Sequence, residues 1–454
     1  MSRSSRAAVR CEPVDRGPVM NLLELSPWLA EREPPLPPLR DDIEVDVAVI
    51  GGGYAGLNSA LELRREGCGV ALLEAQFAGF GASGRNAGHL TPTIGKDLPT
   101  LMTVFGRARV RDLLHLADTA IRYVEARIAH EAIECDYEAV GNVVAAVHER
   151  QFKNLDRAAA AAAAFGIAGE ILEPAEMRRR GLPPAFRRGY LEPLGGVLDP
   201  GRYVRGLRRA ALAAGVALYE QTPVRRLAWG DPAVVHVDGG RVRARQVVIA
   251  TNAWTAQLGV AASMVLPMYV QLFRTQPLTP EQLAVVDWHG REGIYTAHEM
   301  LESYRLTRDN RIVGGAKQVR YGYGGAVFSA PDAGLAAWLE GVFRQRFPML
   351  GDVPVEAHWG GPIAFALDFL PVIERSARHP NVVYAVGYAG HGLALASYAG
   401  RMVTDLLLER PSPGAALWTR RRLPLPPEPL RWLIVRALTG FFGGIDRRVD
   451  TTVG

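Results

Sequence analysis

Residues 43–74 read IEVDVAVIGGGYAGLNSALELRREGCGVALLE, and few folds accept such a stretch. The β-branched run 43–50 predicts a buried strand. Gly51, Gly53 and Gly56 follow it at G-x-G-x-x-G spacing. An apolar pattern of helical period then runs from Tyr54 and Ala55 to a glycine stop at Gly67, and VALLE (70–74) predicts a second strand. This order and length match a βαβ unit. Each glycine has a mechanical role. Gly51 permits a tight turn, Gly53 lets backbone approach a pyrophosphate, and Gly56 allows helix–strand packing. The helix then points unpaired N–H groups and a positive dipole end at phosphate. Glu74 closes the second strand 23 residues after Gly51, with Ala75 beside it. An acid there accepts hydrogen bonds from ribose hydroxyls and repels a 2′-phosphate. Glycine spacing alone is a weak signal. With strand, helix, strand and terminal acid in order, it predicts a dinucleotide site.

The motif suits NAD and FAD equally. The next stretch, GFGASGRNAGHL (79–90), narrows the choice. It has no apolar period, and it follows the ribose acid too closely for another regular strand–helix unit. Such a loop lies along the remainder of a long dinucleotide. Backbone N–H groups of Ser83, Gly84, Arg85, Asn86, Ala87 and Gly88 would meet its pyrophosphate or flavin edge. The Arg85 side chain would neutralise phosphate, and that of Asn86 would offer an amide. The serine is not a hydrolase elbow, because G-x-S-x-G requires glycine two residues after it, where Arg85 stands.

Composition excludes several classes. Hydrophobic residues make up 48% and charged residues 22%, an ordinary globular balance. Of the 52 basic residues only Lys96, Lys153 and Lys317 are lysines. Their scatter, and the net charge of +5, read as base composition and exclude a nucleic-acid partner. Cys11, Cys68 and Cys135 are too far apart for a disulfide framework or metal spacing, as in a reducing compartment. No metal is expected. The first residues lack the apolar core of a secretory signal, and no apolar run suffices for a spanning helix. A cytoplasmic protein is expected.

Further along, RYVRGLRRAALAAG (202–215) and residues 107–131 predict helices. VVIATNAW (247–254) and NVVYAVGYAGHG (381–392) begin as strands, with a hairpin near 233–247. Residues 1–42 are proline-rich and expected to be extended rather than packed. LRWLIVRALTGFFGGIDRR (430–448) is an amphipathic helix that either docks on the protein or lies on a membrane surface.

Together, DVAVIGGGYAGLNSALELRREG, LLEA, GFGASGRNAGH, VVIATNAW, HWGGPIAFALDFLPVIE and NVVYAVGYAGHGLALASYAGR resemble the D-amino-acid-oxidase-like superfamily of FAD-dependent oxidoreductases. Within it they resemble most the branch that contains the gamma-glutamylputrescine oxidoreductases. The resemblance covers residues 20–440 and is specific for fold and cofactor, less so for substrate. It implies an α/β (α+β mixed) fold. A discontinuous Rossmann-like FAD domain (43–95 with 196–260 and 356–410) would carry an inserted substrate domain on a mixed β-sheet (96–195 with 261–355). An N-terminal segment (1–42) and a basic tail (411–454) would flank them.

It also implies site residues. Val224 would lie near the adenine, Thr251 and Asn252 near the phosphates, and Gly390, His391, Gly392 and Leu393 past the flavin pyrimidine, with Gly361 close by. The implied cofactor is non-covalent FAD, since Asn86 stands where some relatives carry an attaching histidine and no cysteine lies near 391. The implied reaction is oxidation of a C–N bond in an amine or amino acid. Hydride leaves for the flavin, the imine is hydrolysed, and electrons pass to O2 or another acceptor. His391, Tyr304, Arg305 and Trp359 are the catalytic or pocket candidates. Arg305 is either a fork for a substrate carboxylate or an ordinary strand-end arginine, and Trp359 either walls an amine pocket or packs in a glycine turn. The alternatives are a flavin dehydrogenase of a hydroxy acid at a membrane surface and a non-enzymatic dinucleotide-binding protein.

Overall fold

The computed structural model describes residues 9–10, 25–418 and 422–450. Ile43–Ile50 is fully buried over its last four residues, as a strand covered on both faces must be. Val70–Leu73 and Gly240–Ile249 flank it in parallel. The parallel order is Ala217–Tyr219, Val70–Leu73, Ile43–Ile50, Gly240–Ile249 and Val382–Val386, with Val372–Arg375 antiparallel beyond the last. The expected hairpin forms from Ala233–Val237 and Gly240–Ile249, and Val224–Ala228 and Val9–Arg10 extend it into a nine-stranded sheet. Helices Tyr54–Arg65, Leu98–His130, Pro200–Ala213 and Gly392–Leu407 share one core cluster with this sheet. Contact is close enough that a side chain on Gly400 would meet the Asn58 backbone at 2.4 Å.

A second, eight-stranded sheet runs Val355–Phe365, Leu266–Thr275, Ile312–Ala316, Glu302–Leu306, Gly293–Thr296, Asn142–Ala146, Arg188–Glu192, Glu170–Leu172. It is mixed: Gly293–Thr296 and Asn142–Ala146 are parallel and the other pairs antiparallel. Strand Val355–Phe365 pairs with Leu266–Thr275 along its length, so an expected boundary at 356 cuts a strand of this sheet. The helix expected over 107–131 forms as the longer part of Leu98–His130; a non-helical Gly106 at φ 75° separates it from a first segment, which Asp97 caps by accepting from the Thr100 amide.

The N-terminal segment corrects one expectation. It is extended near its prolines, yet it packs. Leu25, Trp28, Leu29 and Leu39 are buried, and the Leu39 amide donates to Thr222 at 3.2 Å.

The tail forms helix Leu430–Asp450. Its end is docked: Asp446 accepts from the Glu299 and Met300 amides at 2.9 and 3.0 Å, and Asp450 pairs with Lys317 and Arg346 at 2.7 Å each. Its other turns leave Leu430, Leu433, Leu438 and Phe441 exposed. No helix of the described residues is long and apolar enough to cross a membrane.

Candidate active site

A cavity of about 1480 Å³ opens where the parallel strands end and extends along the second sheet. Crevices at the carboxyl ends of such strands are the usual ligand position in α/β sheets. Gly51 turns at φ 108°, and a side chain there would lie 2.7 Å from the Ala250 carbonyl oxygen. A side chain on Gly56 would fall 1.8 Å from the Gly51 oxygen, so helix and strand pack only through glycine. Gly53 caps the helix, and the Tyr54 amide donates to Ser83 Oγ at 2.9 Å. The glycine loop thus docks on the helix start.

Glu74 lines the cavity and accepts from the Gly52 amide at 2.6 Å and the Gln76 amide at 2.9 Å. A carboxylate has about four acceptor positions, which leaves some open for ribose hydroxyls. Burial pushes its pKa up to about 7 against the pull of these amides. Arg85 is buried without a carboxylate. It donates to the carbonyls of Phe80 (2.7 Å) and Gly360 (3.2 Å), and burial lowers its pKa to about 9.

Most expected cofactor residues meet in this cavity: Gly51, Gly53, Tyr54, Ala55, Glu74 and Ala75 at the first turn; Ser83, Arg85, Asn86, Ala87 and Gly88 in the loop; Val224, Thr251, Asn252 and Gly361 further along; and Gly390, His391, Gly392 and Leu393 at the last helix. Gly56 and Gly84 do not line it. Gly84 packs under Leu29, where a side chain would meet Leu29 at 2.6 Å. Asn86 differs from expectation. Its amide donates to the carbonyls of Ala82 (3.1 Å) and Ser83 (3.0 Å), and its oxygen accepts from the Gly88 amide (2.9 Å), so it ties the loop to itself. Asn252 likewise accepts from the Gly387 amide at 3.0 Å.

Three pocket candidates are corrected: Tyr304, Arg305 and Trp359 do not line the cavity. Tyr304 donates to Glu302 at 2.9 Å and packs on Phe186 and Phe347. Trp359 donates to the Arg85 carbonyl at 2.9 Å, and Arg305 to that of Ala87. Trp28 donates to the carbonyl between them, Asn86, at 3.0 Å. Three consecutive loop carbonyls are therefore held from outside by two indoles and a guanidinium. These residues position the loop and leave the cavity wall to others.

That wall includes residues that no sequence motif singled out for substrate: His89, Lys96, Glu192 and Tyr295. His89 lies inside the glycine loop 79–90. Glu192 ends a strand, RGYLE, that carries no recognisable motif. Burial lowers His89 and His391 to about 4. Lys317 is neutralised by Glu302 and Asp450.

Four buried polar atoms without a partner belong to residues of this one cavity: Arg85 Nη2, His89 Nε2, Tyr388 Oη and His391 Nδ1. Four such atoms around one cavity suit a ligand that carries several polar groups. The set fits FAD. Glu74 is an acceptor for ribose, glycine backbone and Arg85 suit the diphosphate, and the helix start at Gly392 suits the flavin.

The model of the FAD dependent oxidoreductase family, DAO, matches residues 46–406. The chain is 30% identical to the gamma-glutamylputrescine oxidoreductase of Escherichia coli over 382 residues, 83% of this chain and 87% of the relative. It is 28% identical to the probable oxidoreductase OrdL of Haemophilus influenzae over 382 residues, 82% of this chain and 85% of the relative. The crystal structure of glycine oxidase from Geobacillus kaustophilus superposes with a TM-score of 0.72 at 22% identity, covering 84% of this chain and all of that one. The strand–glycine–helix cradle, the acid after the second strand and the helix start beyond the last strand thus agree with the sequence match, and the chain belongs to the family of FAD dependent oxidoreductases.

Proposed function

We propose that the protein oxidises the C–N bond of an amine or amino acid, with gamma-glutamyl amines, polyamines and N-substituted amino acids as the substrate class. The observation that carries this reading is the continuous cavity. It runs from the nucleotide cradle at Gly51 and Glu74 past His391 to a wall formed by His89, Glu192 and Tyr295. The names of the relatives, an oxidoreductase of gamma-glutamylputrescine and an oxidase of glycine, support it.

Gly51–Gly56, Glu74, Arg85 and the turn at Gly390–Gly392 hold FAD. When bound, FAD supplies the two-electron acceptor for hydride leaving the carbon beside nitrogen. The chain supplies orientation and electrostatics. The turn before Gly392–Leu407 has positive φ at Ala389 and Gly390, which aims the helix start, with its N–H groups and dipole, at the cavity. His89 and His391 are neutral near pH 7, so they act as hydrogen-bond partners rather than as cations. In this reading FAD is held without a covalent bond: Asn86, which carries no nucleophile, stands where some relatives have the attaching histidine, and neither Cys68 nor Cys135 lines the cavity, while Cys11 lies outside the described residues. Water hydrolyses the imine after hydride departure, and O2 or another acceptor takes the electrons.

An anaerobic screen of polyamines, gamma-glutamyl amines, N-methyl amino acids and D-amino acids, followed at the flavin band, tests the reading. Bleaching by at least one amine is the expected result. Bound flavin that no amine reduces would refute it.

The exposed Leu430, Leu433, Leu438 and Phe441 favour a second reading, in which the tail also rests on a membrane surface. Sedimentation with anionic vesicles tests it. Protein that stays wholly in the supernatant dismisses it.

A further inference from the structure

Glu192 is half-buried at the end of its strand and differs from the paired glutamates of the interior. Glu62, Glu220, Glu292 and Glu302 each pair with an arginine, and Glu302 also with Lys317. Glu192 lines the cavity, and its one partner is the Tyr295 hydroxyl, which donates to Oε2 at 2.6 Å. Among the described residues no cation stands within ion-pair distance. Burial raises its pKa, and the Tyr295 bond is the only opposing influence. A carboxylate partly withdrawn from water with no counter-charge is available to a cation that enters the cavity.

Its neighbourhood suits a visiting cation. Tyr190 and Tyr295 both line the cavity here, and Tyr190 lies two residues before Glu192, on the same face of the strand. With Oε2 held by the Tyr295 hydroxyl, Oε1 is an acceptor for an ammonium group. The site also lies close to the nucleotide cradle. The Tyr295 ring stands edge-on to that of His89, 6.0 Å between centroids, and His89 follows Gly88 of the glycine loop. A ligand at Glu192 is thus one aromatic ring away from the loop that holds FAD.

We propose that Glu192 and Tyr295 form an ammonium subsite for a second, non-reacting amino group of the substrate, so that the protein selects amines carrying two cationic nitrogens. This rests on the amine-oxidising reading and names its substrate class.

The test uses the FAD-loaded enzyme under anaerobic conditions with 1,4-diaminobutane, n-butylamine and 4-amino-1-butanol. Dissociation constants come from the perturbation of the oxidised flavin spectrum or, where reduction follows, from the concentration dependence of its rate. The wild type is expected to bind the diamine roughly 10- to 100-fold more tightly than either monoamine, the factor a charge-assisted hydrogen bond supplies. Glu192→Gln is expected to bring that ratio close to one, and Glu192→Asp to reduce it several-fold. A wild-type ratio near one overturns the proposal without any variant. A high ratio that survives both substitutions overturns it too. Failure of the wider reading looks different: no amine bleaches the flavin, while diamine binding still depends on Glu192. Bleaching by amines with no diamine preference sinks this proposal alone.

Discussion

Two regions of the molecule handle buried charge in opposite ways. Beneath the second sheet, Glu302 accepts from Arg346 at 2.9 and 2.8 Å, pairs with Lys317, and receives the Tyr304 hydroxyl. Asp450 adds the second negative charge. His298, Glu302 and Asp450 come as close together as metal ligands do, but two cations already balance the two acids. In the cavity, Arg85 has no carboxylate, Glu74 has only backbone amides, and Glu192 has only a tyrosine. Where charges are matched within the chain, they hold the fold together. Where they are left open, they are there for something that arrives later.

Substitutions sharpen this contrast. The largest effect is expected from Gly56→Val, which forces side-chain atoms into the Gly51 carbonyl. Gel filtration should yield no flavin-bearing protein; yellow, folded material would break the account of the cradle. Next comes Arg346→Met, which leaves Glu302 under-compensated in the interior. Breaking such a pair costs about 3–5 kcal/mol, to be read as a lower urea midpoint with FAD affinity little changed. Equal losses of stability and affinity would erase the distinction between the regions. Glu74→Ala should do the reverse, weakening FAD binding about 10- to 100-fold without lowering the urea midpoint of the FAD-free protein near pH 7.

The smallest effect is a pH dependence of opposite sign in the two regions. The Glu302 carboxyl is held down at about 2. Its contribution to stability is therefore complete above its ordinary value near 4.5 and is lost as pH falls towards about 2. Glu74 is raised to about 7. Its contribution in the FAD-free protein is complete below 4.5 and is lost as pH rises to about 7. Urea titrations of wild type and Glu74→Gln across about pH 4.5–7 should differ in slope, the variant being flatter. Parallel curves would contradict the assignment.

The cradle was legible in the sequence because it makes demands on backbone. A turn at φ 108°, a helix packed on a carbonyl and an acid after a strand each require a particular residue at a particular spacing. The wall of the cavity was not legible, because it depends on which face of a strand looks inward. Glu302–Leu306 is buried at every position, so no alternation told Tyr304 from Ser303, and it is Ser303 that lines the cavity. Trp359 and Arg305 were suspected for their chemistry, and both serve as clamps on loop carbonyls. Trp28, the third clamp, lies just before a proline-rich segment whose composition suggested no packing. Glu192 had no sequence signature, since an unpartnered acid is recognised only when its neighbours are known.

The order of the parallel strands has a practical consequence for anyone wishing to borrow this cofactor site. Every residue of the two glycine motifs falls within 51–90, yet Ile43–Ile50 is hydrogen-bonded on one side to Gly240–Ile249, which in turn carries Val382–Val386. A short fragment ending after the second motif would keep the complete fingerprint and lose three of the five parallel strands beneath it. The signature can be read locally, but it cannot be transplanted locally.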